Sequence, residues 1–172
     1  MTDSSSLFKT THGIVTFKIG EQEYCTSLDI IDSILKIDEL NRLARLGGDF
    51  IIYKNDRYKI IQTFRTAGEK FNKKNPEERI ILVSIFGKKF AYTVDKIIEI
   101  LALDQIFVEK SLDFKPTTQI PYVSGILKFQ GATIYFPDFE RIAKELSIEE
   151  SNQSHDYRPN PHLKVNHNSE IK

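Results

Sequence analysis

One short pattern occurs twice in this chain, and the repeat limits the available folds more than any other feature. Gly20-Glu21-Gln22-Glu23-Tyr24 leads into Asp29-Ile30-Ile31-Asp32-Ser33-Ile34-Leu35-Lys36-Ile37. Downstream, Gly87-Lys88-Lys89-Phe90 leads into Asp95-Lys96-Ile97-Ile98-Glu99-Ile100-Leu101-Ala102-Leu103. Asp29 aligns with Asp95, Ile31 with Ile97, and Ile34-Leu35 with Ile100-Leu101. Each copy then reaches a hairpin-like run, Phe50 to Ile61 in one half and Ile126 to Phe136 in the other. The repeat predicts two similar small β units packed together, and binding sites tend to form at such a seam.

The local patterns are mostly those of strands. His12 to Ile19 alternates apolar and polar residues, as a half-buried strand does. Gly20 to Glu23 turns the chain, and Tyr24 to Leu28 returns. Asp29 to Leu35 predicts a short helical turn feeding a strand, because its β-branched density outweighs its helical spacing. Asp38 to Leu46, with Leu40, Leu43 and Leu46 spaced three apart, predicts a short helix or loop ended by Gly47-Gly48. A hairpin follows, turning at Lys54-Asn55-Asp56-Arg57, where Asn and Asp tolerate left-handed backbone. Lys70 to Glu78 is a polar connector.

Ile80 to Phe86 is nearly continuous apolar chain and predicts a central strand, paired with Phe90 to Val94 across Gly87-Lys88-Lys89. Val108 to Pro121 is expected to be loop, and Val123 to Phe136 a hairpin turning at Gln130-Gly131. A closing helix is expected over 138–146, with Asp138 as its N-cap and Phe139, Ile142, Ala143 and Leu146 on one face. One domain is therefore expected over 12–148, with subdomains at about 14–70 and 79–136. The segments 1–11 and 149–172 are too polar to offset their ordering entropy and are expected to be disordered.

Composition narrows the functional classes. Lys plus Arg and Asp plus Glu both number 24, so no strong field recruits nucleic acid or an anionic membrane. No apolar run approaches the roughly 20 residues that span a bilayer. The start of the chain lacks a basic, then apolar, signal pattern, so a cytoplasmic protein is expected. The single cysteine, Cys25, lies in a strand pattern and is expected to be a small core residue.

No catalytic constellation emerges. His12, His155, His162 and His167 lie near the two ends of the sequence, without helix-spaced or cysteine-backed partners for a metal. There is no phosphate-binding glycine loop and no nucleophile elbow. Asp29 and Asp95 have the residue type for acid–base work, but their equivalent places in the repeat favour turn capping. No enzyme activity, cofactor or metal site is expected. Phe50, Tyr53, Lys54, Arg57 and Tyr58 interleave aromatic and basic residues, leaving single-stranded nucleic acid on a small β-barrel as the alternative.

The order of these pieces resembles the CheW-like domain, the adaptor of bacterial chemotaxis arrays. Phe17 to Tyr24 is similar to the family's opening strand, turn and strand. Ser27 to Ile34 stands where the family has its first apolar and acidic stretch. The strongest likeness is Phe90-Ala91-Tyr92-Thr93-Val94-Asp95-Lys96-Ile97-Ile98-Glu99-Ile100-Leu101, similar to a valine-aspartate-x-valine-x-x-valine-leucine run. Tyr122-Val123-Ser124-Gly125-Ile126-Leu127 matches a later tyrosine-x-x-glycine strand.

The resemblance implies a mainly β fold of two similar SH3-like five-stranded β-barrel subdomains, with short helices and a C-terminal helix. It implies a non-enzymatic adaptor whose groove binds the chemoreceptor cytoplasmic tip. A barrel surface would bind the regulatory domain of a histidine kinase (CheA-like), and partners would hold the protein at membrane-associated receptor arrays. The positions matching receptor-contacting segments are Ile31, Ser33, Lys54, Arg79, Ile97 and Ile100. Ordinary core remains the other reading of each isoleucine, and solvated turn or surface that of Ser33 and Lys54. One region departs from the family: Lys54-Asn55 replaces an arginine-glycine turn. Lysine keeps the charge but not the planar five-donor fork, which weakens bidentate contacts.

Overall fold

The computed structural model describes residues 12–40, 44–47, 49–62, 75–102, 113–117, 120–129 and 131–155. Twelve strands and one long helix account for most of them. The first repeat supplies β1 (Gly13–Ile19), β2 (Gln22–Ser27), β3 (Ile31–Lys36), β4 (Ala44–Gly47), β5 (Phe50–Tyr53) and β6 (Asp56–Ile60). The second supplies β7 (Arg79–Ile85), β8 (Lys88–Val94), β9 (Lys96–Ala102), β10 (Asp113–Pro116), β11 (Val123–Phe129) and β12 (Ala132–Pro137). Helix α1 (Phe139–His155) closes the described chain.

The strands form two barrel-like sheets, ordered β10-β11-β12-β2-β1-β9 and β3-β7-β8-β6-β5-β4. Adding six to each strand number of the first repeat converts one order into the other, so the sheets are equivalent. The units are not the contiguous halves 14–70 and 79–136. Each sheet takes two strands from one repeat and four from the other. The chain leaves the first sheet between β2 and β3 and returns to it between β8 and β9. These crossings are the repeated Asp29 and Asp95 segments.

The carboxylates at the crossings hold the two ends of β1. Asp29 Oδ1 accepts from the His12 N–H at 3.1 Å, and Asp95 Oδ2 accepts from the Gly20 N–H at 2.7 Å. The Asp95 N–H in turn donates to the Lys18 carbonyl at 2.8 Å. A seven-residue strand separates the two aspartates by on the order of 20 Å, so they are caps and not an acid–base pair.

Strands β1 and β7 are apolar on both faces, and this creates three cores. Ile14 points into a cluster with Cys25, Leu127, Ile134 and Phe136 inside the first sheet. Ile80 and Leu82 join Leu35, Leu40, Ile51, Tyr58 and Ala91 inside the second. The alternate residues Val15, Phe17, Ile19, Ile81 and Val83 meet Phe90, Tyr92, Val94 and α1 in the seam between the sheets. Helix α1 contributes Phe139, Ile142, Ala143 and Leu146 to that seam. Its N-cap is Asp138, whose Oδ1 accepts from the Arg141 N–H at 3.1 Å.

Four expectations need correction. Each sheet ends in a short edge strand, β4 or β10, where a helix or loop pattern is expected from the sequence. Pairing with β5 and β11 overrides the local pattern, and 41–43 lies outside the described residues. Asp56 and Arg57 belong to β6: only Lys54 and Asn55 form the turn, both with positive φ, as a type I′ hairpin needs. Phe86 likewise joins Gly87 in the β7–β8 turn. The helix runs on to His155, so 149–155 is ordered; Glu149 pairs with Lys59 on β6 at 2.6 Å, and Glu150 pairs with Lys88 on β8. The expected tails at 1–11 and 156–172 lie outside the described residues.

Candidate functional site

Both edge strands that follow the crossings carry isoleucines onto the seam. In β3, Ile31 and Ile34 pair with Val83 and Ile81, and both pack on the seam cluster. In β9, Ile97 and Ile100 pair with Phe17 and Val15. Ile97 packs on the same cluster, whereas Ile100 is 56% exposed. A β-bulge places each pair on one face. Asp32 is the extra residue in β3, and Ile98 is the extra residue in β9. Without the bulge, residues three apart would point to opposite faces. The result is a repeat-related apolar rim around a packed seam.

The polar candidates separate into two groups. Ser33 faces the inside of the second sheet, opposite Leu82, and hydrogen-bonds Tyr53. Lys54 lies 5.2 Å from the Tyr53 ring centre. The Ser33 hydrogen bond, with help from the Lys54 charge, draws the Tyr53 phenol below its usual pKa despite partial desolvation. Arg79 stands apart. It pairs with Lys36 at the far end of β3, roughly 13 Å along β7 from Val83. Its guanidinium donates to the Pro76 and Glu78 carbonyls at 2.8 and 2.9 Å.

Sequence reasoning missed Asp32. The bulge turns its carboxylate toward Tyr58, whose hydroxyl donates at 2.8 Å, and toward Ser84, which also donates to it. Lys89 approaches the same carboxylate at 3.5 Å and donates to the Ser84 hydroxyl at 2.9 Å. The mismatch in the repeat, Asp32 against Ile98, was the available signal. Desolvation opposes ionisation, but hydrogen bonds from Ser84 and Tyr58 and the Lys89 charge outweigh it. They hold the Asp32 carboxyl below its ordinary value of 3.8. Burial, and then the bond to Asp32, push the Tyr58 phenol up.

A folded-state pKa below the unfolded one contributes stability that is present above the unfolded pKa. That contribution is lost as pH falls through the folded value. The urea midpoint should therefore drop on acidification from about pH 6 to about pH 3. Asp32→Asn should remove part of that slope. An unchanged slope in the variant would mean that the network does not distinguish the two protonation states.

The basic–aromatic surface is occupied by the protein itself. Arg57 covers the Phe50 ring at 4.0 Å, and Lys54 covers Tyr53. Bases would have to displace these cations before stacking, which weighs against the nucleic-acid alternative. Among the described residues, no three His, Cys, Asp or Glu side chains are grouped to hold a metal ion. Among them, too, no helix is long and apolar enough to cross a membrane.

Two strand-exchanged β units thus pack around a shared apolar seam, with exposed isoleucine at its rim. The chain belongs to the CheW-like domain family, whose model matches residues 13–147. Membership of this family supports a scaffold or adaptor role in chemotaxis for this chain. The fold is similar to that of the scaffolding protein TtCheW from Thermoanaerobacter tengcongensis, with a TM-score of 0.53 and 21% identity. The match covers 73% of this chain and 88% of that one. No curated protein matches the sequence.

Proposed function

We propose that this protein is a non-enzymatic cytoplasmic adaptor that couples chemoreceptors to a chemotaxis histidine kinase. The observation that carries the reading is the repeat-related rim of Ile31, Ile34, Ile97 and Ile100 around the seam. An amphipathic receptor hairpin tip would lay its apolar stripe along this rim, the helix-in-groove mode in which apolar anchors supply affinity. Ser33 and Lys54, joined through Tyr53, would supply polar contacts at one side, and Arg79 a more distant charge. The kinase's regulatory domain would engage a barrel surface. Contacts with these partners would hold the adaptor at membrane-associated arrays.

The test is titration of the purified protein against a chemoreceptor cytoplasmic fragment and, separately, against the kinase regulatory domain. Ile100→Asp should weaken receptor binding at least about tenfold, the effect of losing an anchor worth about 1.4 kcal/mol or more. The side chain is already exposed, so the variant should fold normally, and its binding to the kinase domain should be unchanged. Equal receptor affinity for parent and variant would remove the rim from the mechanism.

A further inference from the structure

The turn between β7 and β8 breaks a local rule. Phe86 and Gly87 are its two central residues, with φ of 50° and 73°. Such turns select Asn-Gly or Gly-Gly, because a bulky side chain in left-handed backbone is strained. The matching β1–β2 turn of the first repeat has Gly20 where Phe86 stands. The phenylalanine does not recover this strain through burial, since it is 71% exposed. Departures from local rules without internal compensation are expected where a surface has a task.

Beside this turn lies a cleft of about 210 Å³, lined by Phe86, Lys88, Glu140, Ala143, Lys144 and Ser147. It is smaller than the roughly 300 Å³ at which small-molecule sites begin, and it has room for one large side chain. A projecting aromatic knob and a hole of side-chain size therefore adjoin on one patch. The charges are also self-complementary. Glu140 and Lys144 are one helical turn apart, with 3.2 Å between Oε1 and Nζ. Turning a second copy about a two-fold axis near the middle of this turn runs the two α1 helices antiparallel. Glu140 of each copy then faces Lys144 of the other. Ile148, 61% exposed and one turn further along, widens the apolar area.

We propose that this patch is an isologous interface through which two copies of the chain associate, Phe86 of each entering the cleft of the other. A single aromatic anchor in a cleft of this size fits a weak dimer, with a dissociation constant on the order of 0.1 mM. The interface uses the β7–β8 turn and α1 and none of the rim isoleucines Ile31, Ile34, Ile97 and Ile100, so its test is separate from that of the receptor reading.

Sedimentation equilibrium of the whole chain over a concentration series tests it. The parent should show a reversible monomer–dimer equilibrium. Phe86→Asn should weaken it at least about tenfold, as loss of a central aromatic anchor does. The same change should leave thermal stability equal or higher, because asparagine tolerates positive φ. Glu140→Lys and Lys144→Glu should each weaken association, and the double variant should restore it. A monomeric parent, or unaltered association in Phe86→Asn, would overturn the proposal. Failure of the double charge exchange to restore the dimer would overturn the two-fold arrangement.

Discussion

Phe17→Ala is expected to destabilise the fold by about 4 kcal/mol, the loss typical when a buried phenylalanine leaves a cavity that cannot close. Phe17 is fully buried in the seam. Its ring stacks with Tyr24 at 5.9 Å and meets Tyr92 at 5.7 Å. Because the seam is built from β1, β7, β8 and α1 together, no single element can move in to fill the gap without leaving another. Urea unfolding at constant m-value measures the effect. A loss under about 2 kcal/mol would show that the two sheets slide to close the cavity.

Gly13→Ala should be nearly as damaging, for a reason that connects stability with the rim. Gly13 has a φ of 142°, where side chains are rarely accommodated, and an added Cβ would lie 2.1 Å from the Leu101 carbonyl oxygen. That atom is backbone of β9, so the clash is relieved only by pushing β9 away from β1. We expect a loss of roughly 2–4 kcal/mol, combining backbone strain with disturbed packing. Receptor affinity should fall as well, because the displaced strand carries Ile97 and Ile100. Gly20→Ala provides the contrast. Its φ of 59° is strained, but its added Cβ meets nothing within 4 Å, so only about 1 kcal/mol should be lost. Equal losses for both variants would mean that the β1–β9 contact is not the cause.

The strands with strong alternation or turn chemistry were legible in the sequence. The pairs β1–β2, β5–β6, β7–β8 and β11–β12 each follow from apolar runs joined by turns of Gly, Asn or Lys. Ile80 to Phe86 reads as central because it is nearly continuous apolar chain, and over Ile80 to Val83 the structure explains why: one face enters a sheet and the other the seam. Strands β4 and β10 were not legible. They are four residues long, and their pairing with β5 and β11 decides their state. The continuation of α1 past Leu146 was likewise hidden. The ion pairs of Glu149 with Lys59 and Glu150 with Lys88 join residues about 90 and 62 positions apart in sequence.

Of the candidate site, the isoleucine pairs were visible through the repeat, but their shared face was not. Strand spacing without a bulge would place residues three apart on opposite faces. Only the bulges at Asp32 and Ile98, which depend on pairing with β7 and β1, bring Ile31 beside Ile34 and Ile97 beside Ile100. Asp32 gathers Tyr58, Ser84 and Lys89 from three strands that no local pattern relates.

The sequence by itself determined that this protein is built from two copies of one β unit, because hydrophobic periodicity and turn residues act over a few neighbours and recur with the repeat. Only the tertiary structure decided how the copies combine. Each gives two strands to one sheet and four to the other, crossing at Asp29 and Asp95. Contiguous and exchanged arrangements satisfy the same local patterns. What separates them is the burial of both faces of β1 and β7 in a common seam, a cooperative term that exists only once the strands have met.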